Sequence, residues 1–201
     1  FYMNKLYHEP LIDKHDCTKL LPATYIISKK VTEMFTPWKN TWKDKNYMKF
    51  AEGSPSTELY ECYNVFLNHM PGMSELYEAV VNKFKEKQPK SKDYAMAGWV
   101  NVFPKGKNLK WHRHGGENEP NGRWHGYVCI DAEPSQTFYK DKDFEQTIEN
   151  KNGYITLNEA GLLHKVSDDW PNERPRVTIA FDFILKKHIH ATNMLRWVPI
   201  I

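Results

Sequence analysis

The chain has 201 residues, with 28 Lys and Arg against 25 Asp and Glu and a formal net charge of +3. That length fits one domain, and the interspersed charges, without a long single-sign block, exclude a dedicated nucleic-acid arm. No apolar run approaches the ~20 residues of a bilayer-spanning helix, and a mean hydropathy of −0.71 with 14% aromatic residues describes a polar chain that can still pack a core.

Cys17, Cys62 and Cys129 are odd in number, far apart and free of any CxxC spacing. They form neither a disulfide framework nor a zinc ribbon. With no cationic-then-apolar leader in the sequence, the expectation is an intracellular, cytoplasmic protein.

Residues 1–92 read as a helical or irregular support. Pro10, Pro22 and Pro37 punctuate residues 1–53, where 24–31 reads as a strand or a helix start. Ser54-Pro55 is a cap followed by a first-turn proline. Leu59, Tyr60, Tyr63, Phe66, Leu67 and Met70 then follow helical spacing, until Pro71-Gly72 breaks the run. A second helix is expected over 73–86, with Leu76, Tyr77, Val80 and Phe84 on one face and Glu75, Glu78, Lys83 and Lys85 on the other.

Residues 93–186 change character. Short aromatic or β-branched runs at 98–103, 109–114, 124–130, 136–139, 154–157, 162–166 and 176–185 read as strands between turn residues. The stretches 115–122 and 141–152 read as loops flanking the mouth of a barrel, and 187–201 as a surface-packed tail. The fold class expected is mainly β with N-terminal helices (α+β), the β part being a jelly-roll barrel.

Three of the nine histidines stand out. On a strand, residues i and i+2 share a face, so His112 and His114 lie together, away from Arg113. Two neutral imidazoles on one face are half of a metal site, or else two exposed side chains on a polar face. His164 follows a strand and tight turn at 153–161 and falls on an apolar strand. A jelly roll brings that strand opposite the first pair, so three imidazoles can converge. Taken alone, His164 also reads as a satisfied core histidine.

Arg176, Thr178 and Ala180 share a face of the last strand. A guanidinium among apolar residues is costly without an anion, and its planar fork fits a carboxylate in bidentate fashion. Arg176 thus reads as an anchor for an acidic ligand, with Arg174 ranked second. The alternative is an edge-strand arginine with a snorkelling stem.

His112-x-His114, then Gly161-Leu-Leu-His164-Lys-Val166, then Arg176-x-Thr178-x-Ala180-Phe181 resembles the Fe(II)/2-oxoglutarate-dependent oxygenases. Trp99-Val-Asn101 and Gly126-Tyr-Val are similar to the strands that flank HxH in small, hydroxylase-like members of phage and marine microbial type. The resemblance covers about residues 97–185 and implies a double-stranded β-helix core within a cytoplasmic, phage-encoded type of protein. It implies Fe(II) held by His112 and His164, with His114 where the family usually has a carboxylate; Glu117 or Glu119 from the next loop is the alternative ligand. It implies that Arg176, helped by Thr178, holds the far carboxylate of 2-oxoglutarate, with Tyr127 and Asn101 as further contacts. Dioxygen and a small-molecule or peptidyl substrate to be hydroxylated complete the set.

A second reading is a cupin, a metal-dependent dioxygenase or isomerase without 2-oxoglutarate. Its two motifs fit at Gly106, His112, His114, Glu119 and Gly126, and at Gly153, Glu159, Gly161, His164 and Asp168, making Glu119 the fourth ligand. It leaves Arg176-x-Thr178 without a role. A third reading is a jelly-roll binding or structural protein with incidental histidines.

Overall fold

A computed structural model describes residues 6–35, 56–57, 63–107, 109–114, 122–142, 144–159, 162–189 and 196–201. Nine strands are present among them: β1 (Leu6–Pro10), β2 (Tyr94–Phe103), β3 (Trp124–Asp131), β4 (Gln136–Asp141), β5 (Phe144–Glu149), β6 (Tyr154–Glu159), β7 (Leu163–Val166), β8 (Arg176–Leu185) and β9 (Val198–Pro199). The two α-helices are α1 (Lys14–Phe35) and α2 (Met73–Lys87). A six-stranded sheet runs β1-β6-β3-β8-β2-β9, and a three-stranded sheet runs β5-β4-β7. The pairings are antiparallel.

The large sheet is buried on both faces, and its sequence alternates accordingly. On β8, Val177, Ile179, Phe181 and Phe183 pack with Leu20, Ile27, Val80 and Phe84 of the helices. The intervening Arg176, Thr178, Ala180 and Asp182 face the other way. There, Trp99, Tyr127, Cys129 and Ala180 of the large sheet meet Tyr139 and Ile148 of the small one. Two facing antiparallel sheets with this strand order form a double-stranded β-helix, and its interior face carries the polar residues.

Phe84 anchors α2 to the sheet. It stacks on Phe183 at 3.8 Å between ring centroids and meets Trp124 and Tyr94 edge-on. Its burial is complete, so Phe84→Ala should lower the unfolding free energy by about 3–5 kcal/mol, as aromatic-to-alanine cavities do. Urea denaturation checks this; a loss below about 1 kcal/mol would mean that α2 is a dispensable cover.

Several expectations are corrected. The segment 24–31 lies in the middle of α1, which continues through Pro22. An interior proline costs ~3 kcal/mol, but Cys17, Leu20, Thr24, Ile27 and Val31 form a buried stripe at helical spacing against the sheet, and that burial outweighs it. The support also contains a strand: β1 pairs with β6 at the sheet edge. The helix expected over 59–70 falls partly outside the described residues, and among those described in that segment only a 3-10 turn forms, Val65–Leu67. Here Asn64 clamps the chain to β2. Its Nδ2 donates to Met96 and Arg196 carbonyls, and its Oδ1 accepts from Phe66 and Gly98 amides.

The loop expected over 141–152 holds β5, hairpinned to β4. The tail adds β9 to the edge of β2 and buries Ile200. The strand expected over 109–114 does not form. That stretch lies where a fourth strand of the small sheet would be, and it touches β7 through one isolated bridge, His112 to His164. No helix among the described residues is long and apolar enough to cross a membrane.

Candidate metal and carboxylate site

The bridge fixes the first two imidazoles. His112 N donates to His164 O at 3.1 Å and His164 N to His112 O at 2.8 Å, which sets the rings 4.3 Å apart. Each ring is then oriented by its own chain: His112 Nδ1 bonds Lys110 O at 2.8 Å, and His164 Nδ1 bonds Leu162 O at 3.2 Å. A carbonyl only accepts, so each Nδ1 carries the proton and each Nε2 keeps a free lone pair. Metal-binding histidines are prepared in this way.

His114 completes the group expected from the sequence. The ligand-type atoms of His112, His114 and His164 lie within 4.8 Å of one another. His112 and His114 share a site although 109–114 is not a strand. Glu117 and Glu119 lie outside the described residues.

Two further residues were not anticipated. His125 of β3 stacks on His114 with centroids 3.6 Å apart and planes 7° from parallel. Asp182 of β8 receives His125 Nδ1–H on Oδ1 at 2.8 Å, Arg123 Nη2 on Oδ2 at 2.6 Å, and faces His114 Nδ1 at 3.4 Å. His114, His125 and Asp182 also lie within 4.8 Å of one another, so His114 belongs to both groups. The signal for both was present: Asp182 continues the Arg176, Thr178, Ala180 face, and His125 lies two residues before Tyr127.

Burial sets the protonation states. It pushes His112 down to about 4, helped by repulsion from His114, and His125 down to about 3, again with His114 contributing. His164 falls well below its ordinary value for the same two kinds of reason, burial first and then the other imidazoles. Burial alone would raise the Asp182 carboxyl. The charges of His114 and Arg123, with the histidine hydrogen bonds, outweigh it and hold Asp182 well below the usual carboxylate range.

The same pocket reaches Arg176. β8 is an interior strand, so the snorkelling edge-strand arginine is ruled out: Arg176 is 4% exposed, with its guanidinium 5.0 Å from the Phe103 ring centre. No acidic side chain among the described residues pairs with it, and burial lowers its pKa. Thr178 accepts from Asn101 Nδ2 at 3.2 Å, while Asn101 Oδ1 has no partner. Tyr127 lines the pocket with its ring, but its hydroxyl is committed to Thr137 and Asn150. Arg174 is engaged elsewhere, in a two-point pair with Asp131. Asp168 is paired with Lys165 at 3.3 Å.

The interior face of β8 is therefore polarised along its length. An unpaired cation stands at the Arg176 end and a buried carboxylate at the Asp182 end, about 20 Å away by strand rise. The imidazoles cluster between β7 and the Asp182 end. Such a pocket can hold a divalent cation on nitrogen donors and an anionic group on the guanidinium.

No family model matches the chain, and no curated protein matches it. Solved structures with the same fold include AviO1 from Streptomyces viridochromogenes Tue57, at 13% identity and a TM-score of 0.57 over 94% of this chain and 93% of that one. A prolyl-4-hydroxylase from Pseudomonas putida aligns at 11% identity and 0.57 over 92% and 90%. EvdMO1 aligns at 14% and 0.58 over 91% of this chain, which spans about half of that protein, 48%. At these identities the likeness is one of fold.

Proposed function

We propose that the protein is a non-haem Fe(II)- and 2-oxoglutarate-dependent oxygenase of the hydroxylating kind. The observation that carries this reading is Arg176, a buried guanidinium without an acidic partner among the described residues, in one pocket with three imidazoles whose ligand-type nitrogens lie within 4.8 Å of one another. A metal on His112, His114 and His164 together with a dicarboxylic acid satisfies both ends of that pocket. A cupin-type metalloenzyme uses the imidazoles but leaves the arginine buried and unpaired, and a purely structural jelly roll leaves both unexplained. The fold is shared with a protein described as a prolyl-4-hydroxylase, which is in keeping with hydroxylation.

The donor set fits the metal. Borderline imidazole ligands suit Fe(II), and a three-ligand face leaves positions for substrate. When bound, Fe(II) with 2-oxoglutarate and dioxygen supplies the oxidising chemistry that couples loss of carbon dioxide from the keto acid to hydroxylation of a C–H bond. The chain's own residues bind and orient. His112, His114 and His164 would hold the metal, with Nδ1 protons fixed by Lys110, Leu162 and Asp182. Arg176 and Thr178 would receive the far carboxylate, and Trp99, Phe103 and Tyr127 shield that contact from water, strengthening it. The substrate class is a small molecule or a peptidyl residue.

Metal-dependent binding of the diacid tests the proposal. Calorimetric titration with 2-oxoglutarate, under anaerobic conditions with Ni(II) in place of Fe(II), should give one site per chain. The same titration of metal-free protein should give binding at least tenfold weaker. Equal binding with and without metal overturns the reading.

A further inference from the structure

Three neutral imidazoles would leave a divalent ion with its full positive charge beside the buried His114 and His164 side chains, and an uncompensated buried charge is costly. Among the described residues, one carboxylate stands within reach of that set without being a member of it. Asp182 is 1% exposed, on the same interior strand face as Arg176, and its Oδ2 faces Nδ1 of His114 at 3.4 Å. His114 is the residue shared by the imidazole triad and the His114, His125, Asp182 group. The negative charge that the triad lacks is thus present one imidazole further out.

We propose that Asp182 is a positioning residue of the metal centre: through His114 it supplies the anionic charge that a carboxylate ligand at position 114 would otherwise supply directly. This rests on the metal reading above and adds the source of its charge balance. A carboxylate accepting from Nδ1 sets the tautomer of His114, orients the ring and makes Nε2 a stronger donor. His125 supports the arrangement from the side. Its Nδ1–H occupies the other oxygen of Asp182 at 2.8 Å, and its ring lies flat on His114, so the carboxylate and the ring stack together leave His114 one orientation. Arg123 holds Oδ2 from the solvent side through Nε at 3.2 Å and Nη2 at 2.6 Å. It draws on the same charge, in competition with His114.

Cobalt(II), followed by its visible absorption under anaerobic conditions, reads the site without turnover. The wild-type chain should take up one ion. Asp182→Asn keeps the shape and removes the charge, and its affinity should fall on the order of 10–100-fold, the usual consequence of losing such a partner. The double variant His114→Asp with Asp182→Asn puts the charge back, now directly on the metal, and should recover most of that loss with a changed absorption spectrum. A structural role in packing would not be rescued this way.

Arg123→Gln leaves the carboxylate in place and removes the competing cation. It should bind cobalt at least as tightly as wild type, and this arm remains decisive should Asp182→Asn fail to fold. Wild-type affinity in Asp182→Asn, failure of the double variant to recover, or weakened binding in Arg123→Gln each overturns the proposal while leaving the metal reading intact. A wild-type chain that takes up no cobalt overturns the metal reading itself, and this one with it.

Discussion

Arg176→Ala is expected to weaken 2-oxoglutarate binding to the metal-loaded protein by at least tenfold, and by about 100-fold if both arms of the fork are engaged. Each charge-assisted hydrogen bond is worth ~1.5–3 kcal/mol, and about 1.4 kcal/mol is a factor of ten. Arg176→Lys keeps the charge but not the planar fork, so it should fall between wild type and alanine. The same position should behave oppositely towards stability. A buried cation with no acidic partner is a liability in the ligand-free fold, and Arg176→Met, which fills the space without the charge, should be at least as stable as wild type. Calorimetric affinities and urea midpoints for the three variants separate the two effects. Unchanged affinity in Arg176→Ala would refute the anchor assignment.

Acid should destabilise the metal-free protein in a window set by the buried histidines. His112 and His125 are neutral in the fold, with pKa values pushed down to about 4 and about 3 by burial and by neighbouring His114, and His164 is held down as well. In the unfolded chain each takes its proton near ~6.5. Below that pH the unfolded state binds more protons. The stability of these neutral rings is therefore fully present above ~6.5 and is lost as pH falls towards about 4, where His112 begins to protonate in the fold. Each such histidine contributes a slope of about 1.4 kcal/mol per pH unit. The Asp182 carboxyl, depressed well below its ordinary value, ionises throughout that window in the fold and adds its own loss only at lower pH. Urea unfolding at pH 7, 6 and 5 measures the slope, and a profile that is flat from 7 to 5 would contradict the buried, neutral imidazoles. His125→Asn should remove about one proton's share of it.

Sequence periodicity was most informative where one strand face had to be polar inside an otherwise apolar barrel. The alternation Arg176, Thr178, Ala180 against Val177, Ile179, Phe181 marks both the strand and its site-facing side, and α2 is equally plain from Leu76, Val80 and Phe84. The histidines of 109–114 were legible as a pair although no strand forms there, and their rings still meet with centroids 5.5 Å apart. What stayed hidden depends on contacts made far away in the chain. β1, with the sequence Leu-Tyr-His-Glu-Pro, has too little apolar alternation to announce itself and becomes a strand because the edge of β6 is open to it. Pro22 marks an end in local terms, yet the stripe from Leu20 to Val31 carries α1 through it. Asp182 sits in Ala-Phe-Asp-Phe-Ile, where a carboxylate looks out of place until its partners from β3 and the chain before it are known. It is the pairing of β3 with β8, His125 opposite Asp182, that makes the second half of the cluster.

The lone bridge between His112 and His164 has a kinetic consequence. Two peptide hydrogen bonds there hold a stretch that has no other ladder partner among the described residues, so opening them separately from the rest of the barrel requires little unfolding. An ion bound by both side chains would clip the same two backbones together and close the long span of chain between them, as a cross-link does. Amide exchange at these two positions should therefore be a gauge of occupancy: rapid relative to the β3–β8 amides while the centre is empty, and slowed towards theirs once it is filled, even though no hydrogen bond has been added.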